Sequence, residues 1–165
     1  MLSALFSGGV ALAAFLTMEV VAWAAHKYLM HGMGWAWHRS HHEPHEGWFE
    51  VNDLYAVAFG VVAVAGFVLL APRWPTFYWI ALGITAYGLA YFVVHDGLVH
   101  QRWPFRHRPR NRYLKRLVQA HKLHHAVDGR DHCVSFGFLY APPVRRLKRR
   151  LTELNPAGLR GEAAE

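Results

Sequence analysis

Three long apolar segments restrict this chain to a helical membrane fold. Residues 54–71 and 77–94 hold 18 residues each without a charged side chain, and residues 2–25 are apolar apart from Glu19 and a few small polar residues. Such lengths approach what a helix needs to cross the hydrocarbon core, where backbone groups must pair within their own segment. The sequence therefore predicts an all-α integral membrane protein with three transmembrane helices at about these positions.

Two other segments leave alternatives to this topology. Residues 22–24 resemble the small-residue cleavage site of a secretory signal, although no positive residue precedes the apolar run and Glu19 lies inside it. Residues 133–144 are apolar but short and end in two prolines, so a fourth membrane segment there would be short or re-entrant. We expect one domain over 1–165, in which the tail 133–165 is first apolar and then basic.

The basic residues orient the predicted helices. Of 18 Lys and Arg, Arg73 alone lies in the turn between the second and third apolar segments, and the other 17 lie in 26–53 or after 94. The positive-inside rule then places 26–53 and 95–132 together on the cytoplasmic side of a bacterial inner (cytoplasmic) membrane. Basic residues beside membrane segments fit anionic lipid headgroups, so we expect membrane lipids and no nucleic acid as partners.

All thirteen histidines lie in these two predicted cytoplasmic segments, and ten of them form four clusters. Each half of the chain carries an HX4H pair followed by an HX2HH triplet. Neutral imidazole is a good ligand for iron, copper, nickel and zinc. The doubled pattern predicts a histidine-rich, metal-binding cap with more than one ion. The ten candidate ligands are His26, His31, His38, His41, His42, His95, His100, His121, His124 and His125.

The spacing within the clusters constrains how they bind metal. In HX2HH the histidines stand at i, i+3 and i+4, so all three fall on one face of an α-helix and can converge. In HX4H the two partners are about 140° apart around an α-helix. They do not easily share one ion unless the helix ends between them or each serves a different ion. Gly32 and Gly97 offer breaks near these pairs.

Several polar residues are candidates for orienting the imidazoles. Glu19 lies seven residues before His26, on roughly the same helical face, and an ionisable group inside an apolar segment is a functional candidate. It would hydrogen-bond either a ligand or a neighbouring helix. The remaining candidates are His45, Asp96, Asp128, Asp131 and His132.

Several other metal and cofactor motifs are absent from the sequence. It contains no HExxH, no Glu-x-x-His and no GxGxxG, which argues against a zinc protease, a ferritin-like carboxylate centre and a dinucleotide-binding fold. The single cysteine, Cys133, excludes a CxxC site. The histidines thus remain the one chemical signature of the chain.

The four histidine clusters resemble those of the membrane fatty-acid hydroxylase and sterol-desaturase superfamily of di-iron enzymes. The surrounding sequence is similar, more closely, to β-carotene 3-hydroxylases of the bacterial type. This match is carried by 95–105 (HDGLVHQRWPF), 119–126 (QAHKLHHA) and 129–140 (GRDHCVSFGFLY). It covers nearly the whole chain, and the clusters alone are specific only to the superfamily.

The resemblance implies a monooxygenase, an oxidoreductase of carotenoid biosynthesis that hydroxylates β-ionone rings at C3. β-Carotene would become β-cryptoxanthin and then zeaxanthin, and ketolated rings would give astaxanthin-type products. The ten histidines would bind two non-haem iron ions, with O2 as co-substrate and the carotenoid held within the bilayer. Electrons would come from an external donor such as ferredoxin or a similar carrier with its reductase.

Two other functions remain open from the sequence. A lipid or sterol hydroxylase or desaturase of the same superfamily would use the same histidines with a different substrate pocket. A non-catalytic, histidine-rich membrane metal binder would also use them, but it would not need two matched sets on one side of the membrane.

Overall fold

The computed structural model describes residues 2–44, 47–104 and 106–159, and over these ranges the chain forms helices and no strand. The all-α prediction is therefore confirmed for the described residues. Within these ranges three helices are long and apolar enough to cross a membrane, which makes this a membrane protein and confirms the three predicted segments as candidate spans: Ser3–Met33, Asp53–Leu70 and Thr76–Val99.

Each of these three helices changes from α- to π-helical geometry along its length. The successive α and π parts are α1 (Leu2–Ala24) with Ala25–Met33, α3 (Asp53–Ala65) with Gly66–Leu70, and α4 (Thr76–Tyr91) with Phe92–Val99. In the π-helical parts an amide bonds the carbonyl five residues earlier, as from His100 N to His95 O (2.9 Å). The first of these parts has a kink at Gly32 (φ −106°, ψ −121°), which the bond from Gly34 N to Leu29 O (2.8 Å) spans. The first and third helices thus continue beyond their predicted ends at 25 and 94, through the histidine pairs.

Three shorter helices build the region beside these spans: α2 (Trp35–His42), α5 (Arg112–His124) and α6 (Val144–Leu154). Asn111 caps α5, because its side-chain oxygen accepts a hydrogen bond from the amide of Tyr113 (2.7 Å). Helix α6 buries Leu147 and Leu151, one turn apart, in the apolar core beside α5. The rest of α6 is strongly basic, as the sequence predicts for the tail.

Small residues bring the spanning helices together. Helix α4 packs extensively against α1, and a Cβ atom added at Gly83 would lie 2.7 Å from the Cβ of Ala14. In the α3–α4 hairpin, a Cβ added at Gly66 would lie 3.0 Å from the Cβ of Ala81. Close backbone approach of this kind is the usual basis of helix packing in lipid.

Residues 133–143, here called the strap, form no helix, so they are not a fourth spanning helix. The strap is held by the carboxylate of Glu19 on α1, which accepts hydrogen bonds from the backbone amides of residues 138–140 at 2.9–3.1 Å. Tyr87 on α4 donates to the same carboxylate (2.7 Å). Glu19 therefore joins α1, α4 and the strap, and it supplies acceptors to amides that would otherwise be costly next to lipid.

Candidate metal centre

The ten histidines of the HX4H pairs and HX2HH triplets, here called the box histidines, converge from four helical segments into two adjacent groups. The first group is His26, His31, His38, His42 and His124, whose ligand nitrogens all lie within 4.8 Å of one another. The second group contains His41, His100, His121 and His125 with the same spread. His95 joins it because its Nε2 lies 3.1 Å from Nε2 of His41. The two groups contact each other where the ring of His42 stacks on that of His125, with 4.3 Å between the ring centroids.

The π-helical segments explain how both members of each HX4H pair enter the same group. In an α-helix His26 and His31 would diverge, but in π-helical geometry residues five apart are nearly aligned. Their ring centroids are 5.2 Å apart. The rings of His95 and His100 are 4.6 Å apart for the same reason. The pairs therefore converge without the helix ending between them, and neither pair is divided between the two groups.

The HX2HH triplets are divided instead. On α2, His38 and His42 belong to the first group and His41 to the second. At the C-terminal end of α5, His121 and the following residue His125 belong to the second group and His124 to the first. Histidines four apart stay together, and the one at i+3 crosses to the other group. Each group thus takes four histidines from one half of the chain and one from the other half.

Six of the histidines are fixed in orientation by oxygen acceptors. In each, Nδ1 donates a hydrogen bond, which directs Nε2 into its group. The bonds run from His26 to Phe136 O (2.9 Å), His31 to Arg130 O (2.7 Å), His124 to Val134 O (2.9 Å), His38 to Asn52 Oδ1 (2.6 Å), His41 to Glu50 Oε1 (3.0 Å) and His95 to Asp96 Oδ1 (2.7 Å).

This orientation makes Nε2 lone pairs face one another. Nε2 of His26 lies 3.1 Å from Nε2 of His38, and His31 faces His124 at the same distance. In each pair both neutral rings carry their proton on Nδ1, so neither Nε2 can donate to the other. The donor set therefore fits cations that neutral imidazole ligates.

Burial keeps these imidazoles neutral. His124 is 0% exposed and His38 is 2% exposed. Burial lowers the pKa of His38 to about 3, and it lowers the pKa of His41, His121 and His124 well below the usual value, with neighbouring imidazoles adding to the effect for the latter three. At neutral pH these imidazoles are uncharged, and where Nδ1 holds the proton Nε2 is free of one, as metal binding requires.

An acidic network around Arg102 lies beside the second group, and its member Glu50 was not predicted from the sequence. Arg102 pairs with Asp53 (2.8 Å), Glu50 (3.1 Å) and Asp96 (3.7 Å), two of which accept hydrogen bonds from the ligand candidates His41 and His95. Burial raises the pKa of Glu50 to about 7, while the Arg102 guanidinium acts in the opposite direction. Glu50 and Asn52 lie in a loop without helical spacing, so no sequence pattern marked them.

The six residues predicted to orient ligands have different outcomes. Asp96 bonds His95 directly, as expected. Asp128, Asp131 and His132 are exposed in the loop after α5, where Asp131 pairs with Arg130 (3.8 Å). His45 lies outside the described residues.

Glu19, the sixth of these residues, acts on the ligands through the strap. It bonds Tyr87 of the neighbouring helix α4, one of the two alternatives predicted, together with the strap amides. The strap supplies the Phe136 and Val134 carbonyls that orient His26 and His124. Gly137 permits this contact, since a Cβ there would lie 2.8 Å from Glu19 Oε1.

Two cavities that share no lining residue adjoin the histidine cluster, one lined by histidines and the other separated from them by the rings of Phe138 and Tyr91. An apolar cavity of about 450 Å³ lies between α1, α3 and α4 and ends at Phe138, Tyr91 and Asp96; we name it the slot. A second cavity of about 460 Å³ reaches the second group from a polar rim that includes Glu43 and Lys122. The centre is thus approached by an apolar route and by a polar one.

The fold and the site define a class: a helical membrane protein whose histidine cluster is built to hold metal. The chain belongs to the fatty acid hydroxylase family, which it matches over residues 11–141. Together the cluster and the family indicate iron binding.

Proteins named β-carotene hydroxylase are similar to this chain over most of its length. The one from Paracoccus sp. (strain PC1) is 59% identical over 143 residues, covering 86% of this chain and 88% of that protein. The one from Pantoea ananas is 60% identical over 151 residues, covering 89% and 86%. The chloroplastic β-carotene 3-hydroxylase of Haematococcus lacustris is 45% identical over 117 residues, covering 67% and 36%. No solved structure matches the chain.

Proposed function

We propose that this protein is a non-haem di-iron monooxygenase that hydroxylates carotenoid β-ionone rings at C3 with O2. One observation carries the proposal: two adjacent groups of five imidazoles, eight of the ten buried, lie beside the end of an apolar cavity among membrane-spanning helices. High identity to proteins named β-carotene hydroxylase supports the substrate class. β-Carotene would be converted to β-cryptoxanthin and zeaxanthin, and ketolated carotenoids to astaxanthin-type products.

In this proposal each group holds one iron ion, and all ten box histidines are ligands. Nδ1 hydrogen bonds fix the ligand tautomers, and the carboxyl groups of Glu50 and Asp96 accept two of these bonds, from His41 and His95. When bound, the iron pair supplies the reduction of O2 and the removal of a ring hydrogen. The protein holds the ligands, positions the ring and screens the centre from water.

Electrons must come from outside, because the sequence contains no motif for a redox cofactor besides the histidines. We assign this role to ferredoxin or a similar carrier with its reductase. The polar cavity is the suitable side for delivery, since His100 and His125, which line it, are only half-buried.

The charge pattern supports a location in the bacterial inner membrane with the metal centre on the cytoplasmic side. Only Arg73 lies in the α3–α4 turn, at the end of the hairpin away from the histidines. The basic outer face of α6 suits anionic headgroups on the cytoplasmic side.

Expression in bacteria that accumulate β-carotene tests this function. The wild-type chain is expected to yield zeaxanthin and β-cryptoxanthin, measured by chromatography of extracted pigments. His121→Ala, which removes a buried nitrogen of the second group, abolishes the products, whereas His107→Ala, at an exposed loop position, does not. Unchanged β-carotene at normal wild-type protein levels would refute the proposal, and hydroxylated lipid or sterol in its place would favour the superfamily alternative.

A further inference from the structure

We propose that the slot binds one ring end of the carotenoid together with the adjoining part of its polyene, with the ring against Tyr91 and Phe138. This inference rests on the proposed function and specifies where its substrate lies. The slot is lined by α1, α3, α4 and the strap residue Phe138. Its volume of about 450 Å³ lies within the range typical of sites for small molecules.

The slot is elongated along the spanning helices. Tyr55, Phe59, Ala63 and Phe67 line it at intervals of four residues, along α3 and the π-helical part that continues it. Twelve residues of helix separate the first from the last, a rise of about 18 Å. A long, narrow cavity of this kind fits a rod-shaped molecule better than a compact one.

The lining offers no free charge for a polar headgroup. Of the four hydroxyl groups in it, three donate to protein acceptors: Tyr55 to Gly34 O (2.8 Å), Thr85 to Ala81 O (2.8 Å) and Tyr87 to Glu19 Oε2 (2.7 Å); the fourth belongs to Tyr91. Among the described lining residues Asp96 alone is charged, and it is bonded to His95 and paired with Arg102. The occupant that this chemistry favours is a hydrocarbon, not a lipid with a carboxylate or phosphate.

Two aromatic rings separate the end of the slot from the histidines. Phe138 stacks on His26 of the first group (5.1 Å, 11°) and contacts His95 of the second group edge-on (5.4 Å). Tyr91 stacks on His95 (4.5 Å, 19°). A ring that fills this end would contact both aromatic side chains and lie beside both groups, so Phe138 and Tyr91 are positioning residues for the carbon to be hydroxylated.

Gly60 on α3 and Gly88 on α4 set the free width of the slot. Both line it, and a Cβ atom added at either position meets nothing within 4 Å. At the turn end the helices close on each other through the contact of Gly66 with Ala81. A larger side chain at Gly60 or Gly88 therefore enters the space where the polyene would lie.

Leucine substitutions at these glycines test the inference. Gly88→Leu and Gly60→Leu are expected to lower the hydroxylated carotenoid formed per protein by about tenfold or more, and Gly88→Ala by less, because the intrusion is smaller. They also lower the β-carotene retained by protein purified in mild detergent, a readout that does not need turnover. Iron content stays at the wild-type level, since neither glycine contacts the histidines.

Gly9→Leu is the matched control, because this glycine lies on α1 in open space and does not line the slot. It should leave pigment retention and products unchanged. If Gly88→Leu and Gly60→Leu hydroxylate β-carotene as well as Gly9→Leu does, the slot is not the substrate site, although the proposed function stands. If the wild-type protein forms no hydroxylated carotenoid, the proposed function itself fails.

Discussion

Each imidazole has two ring nitrogens, and in this centre Nδ1 makes the hydrogen bond that orients the ring while Nε2 faces the metal group. Six ligand candidates donate from Nδ1 to a carbonyl, amide or carboxylate oxygen, so that Nε2 stays unprotonated and points inward. Such outer hydrogen bonds fix the tautomer and the ring orientation before a metal arrives. Residues outside the ligand set thus fix the direction in which these six imidazoles point.

The proposed role of His124 as a metal ligand can be tested by a single substitution. It comes from the second half of the chain but lies in the first group, fully buried, with Nε2 3.1 Å from that of His31. His124→Ala should lower the iron content of the purified protein to about half, because one group loses a ligand while the other keeps five. Metal analysis with His107→Ala as the exposed control measures this. Iron content equal to that of the control would show that His124 is not a ligand.

Glu19 gives a second test at this scale. Its carboxylate accepts bonds from the strap amides and from Tyr87, so Glu19→Ala leaves buried donors without an acceptor. We expect a loss of about 3 kcal/mol in the free energy of unfolding, seen as a lower thermal midpoint in detergent. Glu19→Gln keeps an oxygen and should lose less.

Glu43→Gln is the matched control for Glu19, because its ion pair with Arg39 is exposed and contributes little. A thermal midpoint for Glu19→Ala equal to that of Glu43→Gln would mean that the strap does not depend on this carboxylate.

Individual side chains were predictable where they follow a spacing and not where they lie in loops. All ten box histidines converge, and Asp96 is adjacent in sequence to the ligand candidate that it bonds. Glu50 and Asn52 approach α2 from the loop before α3, and their positions depend on tertiary packing that no local pattern encodes. Glu19 was recognisable as a polar residue in an apolar helix, but its strap partners lie more than a hundred positions away.

At the level of elements, the π-helical segments determine the site. The spacing of five in HX4H does not fit an α-helix, and the structure accommodates it with i to i+5 hydrogen bonding. From sequence the pairs were expected either to be interrupted or to serve different ions, since α-helical geometry was the only reference. A local change from α- to π-helical hydrogen bonding is one that apolar periodicity does not reveal.

Gly97 tests the second π-helical segment, Phe92–Val99. A Cβ atom there would lie 2.9 Å from three ring atoms of Trp103, a rigid side chain that cannot yield without moving the loop after the helix. Gly97→Ala should destabilise the protein by about 1–3 kcal/mol through overpacking and displace His95 and His100. Thermal unfolding and iron content measure both effects.

Gly8→Ala is the matched control for Gly97→Ala, because a Cβ at Gly8 meets nothing within 4 Å. Equal stability and equal iron content in the two alanine variants would contradict the structural role of Gly97.

At the scale of the whole molecule, neither half of the chain can complete a metal group alone. The first half supplies four histidines to the first group and His41 to the second, and the second half does the reverse with His124. The doubled motif could be predicted from the sequence. The exchange, in which His41 and His124 each lie in the group formed mainly by the other half, could not, because it depends on how α2 and α5 face each other. The exchange requires both halves of the cap to lie on one side of the membrane.

Cysteine labelling tests that requirement. In a Cys133→Ala background, Arg39→Cys, Arg112→Cys and Arg73→Cys each place one thiol at an exposed position. A membrane-impermeant maleimide should label positions 39 and 112 only from the cytoplasmic side and position 73 only from outside, because three spans place the α3–α4 turn opposite the cap. Retained hydroxylation in each variant identifies folded protein. Labelling of positions 39 and 112 from opposite sides would make a shared centre impossible, because the ligands that cross between the halves could not reach their groups.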